Sequence, residues 1–530
     1  MLKVYNSLGR ELQEFRPLRE GFVGVYVCGP TVYGHSHIGH AKSYVSFDVI
    51  IRYLRHLGYR VRYVQNITDV GHLTDDADMG EDKIGRRARE LGVQPMEVAE
   101  EFTRSYFEYM DALNVRRPDI SPRASGHVIE QIELVKRLLE RGHAYEAGGN
   151  VYFDARSWPA YGRLSGRTLD EMIEGERLES REEKRHPADW ALWKRAEEGH
   201  IMRWPSPWGE GFPGWHLECN VMAAKYIGET LDIHGGGIEN IFPHHEDEVA
   251  QAEAATGKPF VRYWLHNNMV TVNGQKMGKS LGNFILLKDA FAGRPPLEKP
   301  VRPMVIRYFV LTSHYRSPLD FSVQALDAAE KGLARIENTA HRVVSAFDRA
   351  NDDRVSEEFA VLVKETQEEF TAEMDNDFNT AAAIGVLSTF TREVNRLLDT
   401  GAAATRGSLA AVAGVYGALA NDVLGIKTAR VVYQISPDNI TQTTSISSPT
   451  VTVQTAGVPS EHVGTTGRVK TGGTDWKIPS VASVVDLTVE VRQMLREAKL
   501  FQLADLVRER LSKLSVEVKD GPEGPTWKFR

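Results

Sequence analysis

The feature that most constrains the fold is an apolar run near the N-terminus, followed by a glycine-containing turn and an amphipathic segment. Residues 22–28 have the pattern of a buried parallel strand, residues 34–41 (GHSHIGHA) form the turn, and residues 41–57 place apolar side chains on one face at helical spacing. This arrangement presents backbone N–H groups and the positive end of a helix to a phosphate. A second strand pattern at 60–67 predicts a right-handed βαβ unit and hence an α/β fold with a parallel, Rossmann-type sheet.

Two short motifs add functional groups to this frame. His37 and His40 lie in the turn, and Lys276 and Lys279 lie far along the chain on a glycine-bearing loop. Either motif alone is more typical of a surface turn or of solvated charge. Together, in this order and context, they resemble the signature motifs of the class I aminoacyl-tRNA synthetases, which activate an amino acid with ATP.

Composition limits the class of protein. At 530 residues the chain is too long for one core, which predicts three or more domains. The hydrophobic content of 42% and the charged content of 26% are those of a globular protein, and no apolar run is long enough to cross a bilayer. The N-terminus lacks a secretory pattern, so we expect a cytoplasmic protein without membrane contact.

The net charge of −8 gives no global indication of a nucleic-acid partner. Such a partner would need local basic patches. The candidates are Arg52, Arg55, Arg60 and Arg62, and separately Arg86 and Arg87. From charge alone, a solvated helix face is the favoured interpretation of both groups.

A metal site is suggested by the few cysteines and by one histidine–carboxylate pair. His244 and Glu248 are four residues apart in a predicted helix, so one ion could lie between them, although such pairs more often lie on the surface. Only two cysteines occur: Cys28 ends the first strand, and Cys219 lies in the segment 213–219. If both thiols reach the pair, they form a Cys₂HisGlu zinc site beside the phosphate turn, but spacing alone does not show this.

Several segments along the chain carry a second and closer resemblance. They are residues 24–33, 37–40, 66–69, 213–219, 232–237, 242–248, 276–284, 375–380 and 520–527. These segments are similar to those of the cysteinyl-tRNA synthetases. The resemblance spans nearly the whole chain and omits a Ser/Thr-rich stretch, in which 14 of the 35 residues from 441 to 475 are Ser or Thr.

The resemblance implies roles for individual residues. The implied zinc ligands are Cys28, Cys219, His244 and Glu248, with the first histidine of the pair favoured over His245. The implied catalytic residues are His37, His40, Lys276 and Lys279. The implied ATP-binding residues are Gly39, Asp232, Gly235, Gly236 and Lys279, and the implied amino-acid pocket contains Thr68 and Trp215.

The implied activity is the ATP-dependent activation of L-cysteine and its transfer to the 3′ end of tRNA(Cys), with magnesium accompanying ATP and a monomer expected. Zinc has a physical reason to take part, because cysteine and serine are nearly isosteric and pocket shape separates such pairs only about 100-fold. A thiol ionises near pH ~8.5, and zinc readily accepts the thiolate. No editing site is therefore predicted.

Two features depart from a plain reading of the family pattern. Gly278 stands where the lysine loop usually has serine, which removes one hydroxyl. The acidic segment 71–80 contains Asp75, Asp76 and Asp78 and could bind a second metal, but a solvated acidic loop is the favoured interpretation.

The predicted organisation has six parts. They are the first half of the catalytic domain (1–118), an insertion (119–200), the second half with the lysine loop (201–321), a helical tRNA-binding domain (322–427), a Ser/Thr-rich insert (428–480) and a small anticodon-binding unit (481–530). In the last part Trp527 could stack on a base or simply pack the unit.

Two other functions stay open at this point. One is the cysteine ligase of mycothiol synthesis, which resembles the catalytic half and lacks the C-terminal part similar to residues 520–527. The other is a non-catalytic tRNA-binding paralogue, against which the intact His37, His40, Lys276 and Lys279 argue.

Overall fold

The computed structural model describes residues 1–73, 81–169, 171, 183–197, 200–278, 281–295, 297–400 and 404–429, and short segments between 470 and 529. The chain divides into two compact units, Met1–Ala456 and Gly457–Arg530. The six domain boundaries given above stay predictions.

A parallel four-stranded sheet forms the centre of the first unit. The strands of this unit are β1 Lys3–Asn6, β2 Glu11–Glu14, β3 Phe22–Val27, β4 Arg60–Gln65, β5 Ala144–Ala147, β6 Asn150–Phe153, β7 Trp190–Arg195, β8 Gly211–Pro213, β9 Leu231–Gly237, β10 Val261–Asn267, β11 Val270–Val272, β12 Gln275–Lys276 and β13 Leu319–Phe321. The central order is β10-β9-β3-β4, with every neighbouring pair parallel. The predicted Rossmann-type α/β fold is confirmed.

Helix α1, Ile38–His56, connects β3 to β4 as the sequence predicts. It begins three residues earlier than expected, because His37 caps it with a side-chain nitrogen. The other helices are α2 Lys83–Leu91, Pro95–Ala112, Val128–Glu140, Leu217–Tyr226, His244–Thr256, Leu287–Ala292, Pro303–Leu311, Val323–Phe347, Glu357–Asp375, Thr380–Asp399 and Arg406–Val415, with a π-helix at Tyr416–Val423.

An antiparallel sheet, β5-β6-β7-β8, is inserted between β4 and β9. Its core contains Phe153 and Trp193, both fully buried. The sheet extends past residue 200, the expected end of the insertion, because β8 pairs with β7 at Trp193 and Pro213.

A group of helices follows the last strand of the unit. In Val323–Phe347 the residues Ile336, Ala340 and Val343 are buried, as their three- and four-residue spacing predicts. In the second unit, Val516–Gly521 and Gly524–Phe529 form an antiparallel hairpin. Most of the Ser/Thr-rich stretch and most of the helix expected at 487–514 lie outside the described residues.

A buried ion cluster fixes α1 to the helices that follow the sheet. The Asp48 carboxylate accepts hydrogen bonds from Arg52 at 2.7 Å and from Arg307 at 2.6 Å. Arg307 also donates to the carbonyl oxygen of Leu424 at 2.8 Å. The prediction that Arg52 lies on a solvated face is wrong, because its side chain is only 5% exposed and forms a buried ion pair with Asp48.

None of the helices in the described part of the chain has the length and apolar character needed to cross a membrane.

Candidate active site and metal centre

A cavity of about 680 Å³ opens at the carboxyl ends of β3, β4 and β9, the edge where open α/β sheets bind ligands. Cys28 directly follows β3, Thr68 lies just after β4, and Gly236 lies near the end of β9. The start of α1 forms one wall, through His37 and His40.

The two histidines of α1 present N–H groups to the cavity. The His37 Nδ1 atom accepts a hydrogen bond from the backbone of Gly39 at 3.1 Å, and the His40 Nδ1 atom accepts one from the backbone of His37 at 3.2 Å. The rings stack with centroids 3.8 Å apart. Burial lowers the pKa of His40 to about 4, so this ring is neutral and its Nε2 atom carries the proton.

Gly39 itself does not line the cavity. A Cβ atom at this position would lie 2.9 Å from the His37 ring, so glycine permits the cap. Its proposed role with ATP stays a prediction.

Four side chains that the sequence suggested as metal ligands meet at one end of the cavity. The two sulfur atoms of Cys28 and Cys219 are 3.8 Å apart, and Cys219 Sγ lies 3.6 Å from His244 Nε2. Glu248 Oε1 is 3.0 Å from His244 Nε2 and 3.9 Å from Cys28 Sγ. Two sulfurs bound to one tetrahedral zinc at about 2.3 Å would be about 3.8 Å apart, so the spacing fits this metal.

His245 is the alternative fourth ligand. Its Nε2 atom lies 3.2 Å from Cys28 Sγ, and Cys28, His244, His245 and Glu248 also form a group whose ligand atoms are all within 4.8 Å of one another. The Nδ1 atom of His245 bonds to His266 at 2.8 Å. Three of the candidate ligands, Cys28, His244 and Glu248, are common to both groups, and geometry alone leaves the fourth open between Cys219 and His245.

Residues around the cluster orient the ligands. His234 Nε2 lies 2.8 Å from the second carboxylate oxygen of Glu248, and His216 Nδ1 lies 2.9 Å from His244 Nδ1. Such contacts fix the ring orientation and tautomer of a ligating histidine. Sequence reasoning missed both residues, although both lie in segments that carried the resemblance.

The electrostatics of the cluster call for a cation. Burial raises the pKa of Cys28 to about 11 and also raises the pKa of Cys219. Burial opposes ionisation of Glu248 as well, but His234 and His244 outweigh it and lower the pKa of Glu248 to about 2. A divalent metal stabilises thiolates against this burial cost, so the donor set fits zinc.

Trp215 and Thr68 line the cavity beside the cluster. The Trp215 ring stacks between His72 and His244, with centroid distances of 4.0 and 4.2 Å. The Thr68 hydroxyl donates a short hydrogen bond to Glu218. Sequence reasoning missed His72 and Glu218, because neither stands in a recognisable pattern of ligands.

The residues expected to bind adenosine separate into two groups. Gly236 lines the cavity, and a Cβ there would lie 2.6 Å from the His245 ring. Gly235 packs under Phe47, where a Cβ would lie 2.2 Å from the ring. Asp232 lies at the other end of β9 and accepts hydrogen bonds from the backbone of Leu18 and Gly24, so the structure does not bring it to the cavity. The ATP-binding role expected for Asp232 stays a prediction.

The structure describes only part of the lysine loop, because residues 279 and 280 lie outside the described residues. Lys276 ends β12 and is exposed, without lining the cavity. Asn283 holds the base of the loop, because it accepts from the Gly278 backbone at 2.8 Å and donates to the Lys276 carbonyl at 3.0 Å. Lys279 and the acidic residues 75, 76 and 78 lie outside the described residues.

Solved structures similar to this chain have the same fold. A methionyl-tRNA synthetase of Mycobacterium tuberculosis in complex with methionyl-adenylate aligns with a TM-score of 0.56 and 16% identity, covering 76% of this chain and 92% of that one. The LeuRS of Agrobacterium radiobacter K84, in a ternary complex with tRNA and LeuAMS, aligns with a TM-score of 0.54 and 13% identity. The alignment covers 78% of this chain and 85% of that one.

Sequence comparisons identify the family. Residues 14–331 match the model described as the tRNA synthetases class I (C) catalytic domain, and residues 369–428 match the DALR domain. The cysteine–tRNA ligase of Chlorobaculum tepidum is 49% identical over 99% of this chain and 98% of its own length. A cysteine–tRNA ligase of Thermus thermophilus is 45% identical over 100% of this chain and 99% of its own length. The chain therefore belongs to the cysteine–tRNA ligase family of class I synthetases.

Proposed function

We propose that this chain activates L-cysteine with ATP and transfers it to the 3′ end of tRNA(Cys), and that zinc at Cys28, Cys219, His244 and Glu248 selects the substrate. One observation carries the proposal. A buried cluster of thiol, imidazole and carboxylate groups lies at one end of the cavity whose other wall is the N-terminus of α1. A thiol-selective site and a phosphate-binding site therefore share one cavity.

When bound, zinc supplies a soft Lewis acid that takes the substrate sulfur as thiolate. The protein does the rest of the positioning. The stacked rings of His72, Trp215 and His244 form a flat wall against the amino acid. His234 and His216 hold the ligand side chains in one orientation.

Activation needs no protein nucleophile. The cysteine carboxylate attacks the α-phosphate of ATP, which enters with magnesium, and pyrophosphate leaves. His37 and His40 both accept backbone hydrogen bonds at Nδ1, so each directs an Nε2–H donor at the phosphates. Lys276 and Lys279 would approach the leaving pyrophosphate when the loop closes. Catalysis is then positioning and charge stabilisation.

The tRNA partner follows from the transfer step. We assign its recognition to the helices of 322–427 and to the C-terminal unit 481–530, on the resemblance of residues 375–380 and 520–527. Replacing Trp527 with alanine tests the second assignment: charging should weaken, whereas activation of cysteine should stay close to that of the parent chain.

The overall proposal is tested by ATP–pyrophosphate exchange with cysteine and with serine, followed by charging of a tRNA pool. We expect exchange with cysteine, exchange with serine more than about 100-fold slower because pocket shape alone would give about 100-fold, and cysteine on one tRNA. Equal exchange with serine would contradict selection by zinc. Exchange without tRNA charging would indicate an amine-accepting cysteine ligase, and tRNA binding without exchange a non-catalytic paralogue.

A further inference from the structure

Helix α2 forms a third edge of the cavity, separate from the metal cluster and from the start of α1. Arg86 and Arg87 lie three and four residues after Lys83, and Glu90 lies four and three residues after them, so all four share one face of this helix. All four line the cavity, and the opposite face of α2 is buried in the protein core. The arrangement points a row of charged side chains at the space where substrate binds.

Among its described residues, this edge carries more positive than negative charge. Arg86 and Arg87 both lie beside the carboxylate of Glu90, at 3.6 and 2.8 Å, and their side chains are 51% and 38% exposed. Lys288, at the start of Leu287–Ala292, also lines the cavity and has no ion-pair partner in the described part of the chain. Among the described residues of this edge, four cations therefore face the cavity together with the carboxylate of Glu90.

An aromatic ring lies next to these cations. The half-buried ring of Tyr33 lines the cavity, with Lys83 Nζ 5.9 Å from its centroid. Lys83 Nζ is in turn 2.7 Å from His72 Nε2, which ties this edge to the amino-acid pocket. His35 and Lys288 also line the cavity, and burial together with the Lys288 charge lowers the pKa of His35. Cations that follow a backbone, beside rings on which bases stack, are typical of sites for single-stranded nucleic acid.

We propose that Lys83, Arg86, Arg87 and Lys288 hold the phosphodiester backbone of the single-stranded 3′ end of tRNA, with Tyr33 as a stacking surface. This inference rests on the proposed function and names the part of the cavity that serves its second step. In that step the terminal ribose oxygen forms an ester bond to the aminoacyl carbon. The bond from that carbon to the phosphate oxygen breaks, AMP leaves with the electron pair, and the hydroxyl proton passes to solvent. The edge supplies position and charge and moves no proton.

The test compares the full-length parent chain with Arg86→Gln/Arg87→Gln and with Lys288→Gln. Two rates are measured: ATP–pyrophosphate exchange with cysteine, and single-turnover transfer from preformed adenylate to a tRNA pool. We expect the ratio of transfer to exchange to fall about 10-fold or more in the double variant. The affinity for tRNA falls as the salt concentration rises. In a plot of log affinity against log salt, this negative slope should become shallower by about 0.7 for each lost contact to a single strand. Replacing both arginines with lysine should restore most of the transfer, since the charge is kept.

Arg104→Gln is the matched control, because Arg104 is an exposed helical arginine paired with Glu100 and does not line the cavity. The inference is overturned if the double variant keeps the parent ratio and salt slope. It is also overturned if exchange falls as much as transfer and the KM for ATP rises, which would assign the edge to the triphosphate. If the parent chain shows no exchange with cysteine, the proposed function fails, and the salt slope of tRNA binding still tests the edge.

Discussion

Two of the buried clusters of ionisable side chains in the described part of the chain differ in how their charges are balanced. In the first, Asp48 lies between the guanidinium groups of Arg52 and Arg307, which are 5% and 0% exposed. Burial opposes the charge, but both arginines outweigh it and hold the pKa of Asp48 below its usual value. Burial lowers the pKa of Arg307 only to about 10, so it stays charged. We call this cluster complete, because the two guanidinium groups supply the positive charge that its buried carboxylate needs.

The second cluster, at Cys28, Cys219, His244 and Glu248, is not complete in the same sense. Its hydrogen bonds fix the orientations of the side chains, but burial raises the pKa of both thiols, so a thiolate here needs more positive charge than His244 supplies. A buried ion pair without a free ligand position serves the fold, whereas a buried set of thiols, imidazole and carboxylate that keeps its thiols protonated fits a metal, which would stabilise the thiolates.

The largest effect is expected from Cys219→Ser. Loss of even an outer partner of a ligand costs about 10- to 100-fold in metal affinity or activity. Removal of a ligand should therefore cost more than about 1,000-fold in cysteine activation, together with the metal. Metal content by mass spectrometry and ATP–pyrophosphate exchange measure the two losses.

His245→Gln is the companion variant, since His245 is the other candidate for the fourth position. We expect it to retain the metal. Loss of metal in His245→Gln with full metal content in Cys219→Ser would move the fourth ligand to the second histidine.

The complete cluster should respond to mutation through stability. Asp48→Asn leaves two buried guanidinium groups without their carboxylate, and breaking a buried pair in this way costs about 3–5 kcal/mol. Urea unfolding followed by circular dichroism measures this loss. Glu133→Gln is the control, because its partner Lys136 is solvent-exposed and such pairs contribute about 0–1 kcal/mol. A loss as small as that of the control would mean that the cluster is not a stability element.

A third kind of charge, in the lysine loop, belongs to neither buried cluster. Lys279→Ala should lower the rate of adenylate formation about 100-fold, since it removes one group that stabilises developing charge. The KM for cysteine should change little, because cysteine contacts the other end of the cavity. Pre-steady-state adenylate formation measures the effect, with Lys364→Ala as an exposed control. A rise in the KM for cysteine with an unchanged rate would contradict the division between the two ends.

The sequence predicts the central βαβ unit well, because the apolar run at 22–28 and the spacing within 41–57 report burial directly. It also pairs His244 with Glu248. The other two candidate ligands, Cys28 and Cys219, came from a resemblance, because only the fold brings them to that pair. Arg52 was misjudged because α1 packs against the protein on nearly all sides, so charge no longer marks an exposed face. The start of α1 was missed because histidine is not among the usual capping residues.

The smallest expected effect is the pH dependence of the unfolding free energy that the Asp48 carboxylate contributes. The folded pKa of Asp48 lies below its unfolded value, which is about 3.9. The stabilisation by this carboxylate is therefore fully present above about pH 4 and is lost as the pH falls through the folded pKa. The groups that face this carboxylate are the guanidinium groups of Arg52 and Arg307 and the backbone N–H of Arg116. The difference in unfolding free energy between the parent chain and Asp48→Asn should be constant from pH 7 to 5 and should narrow below pH 4. A difference that already closes between pH 7 and 5 would mean that burial outweighs the two arginines, so that this cluster too is incomplete.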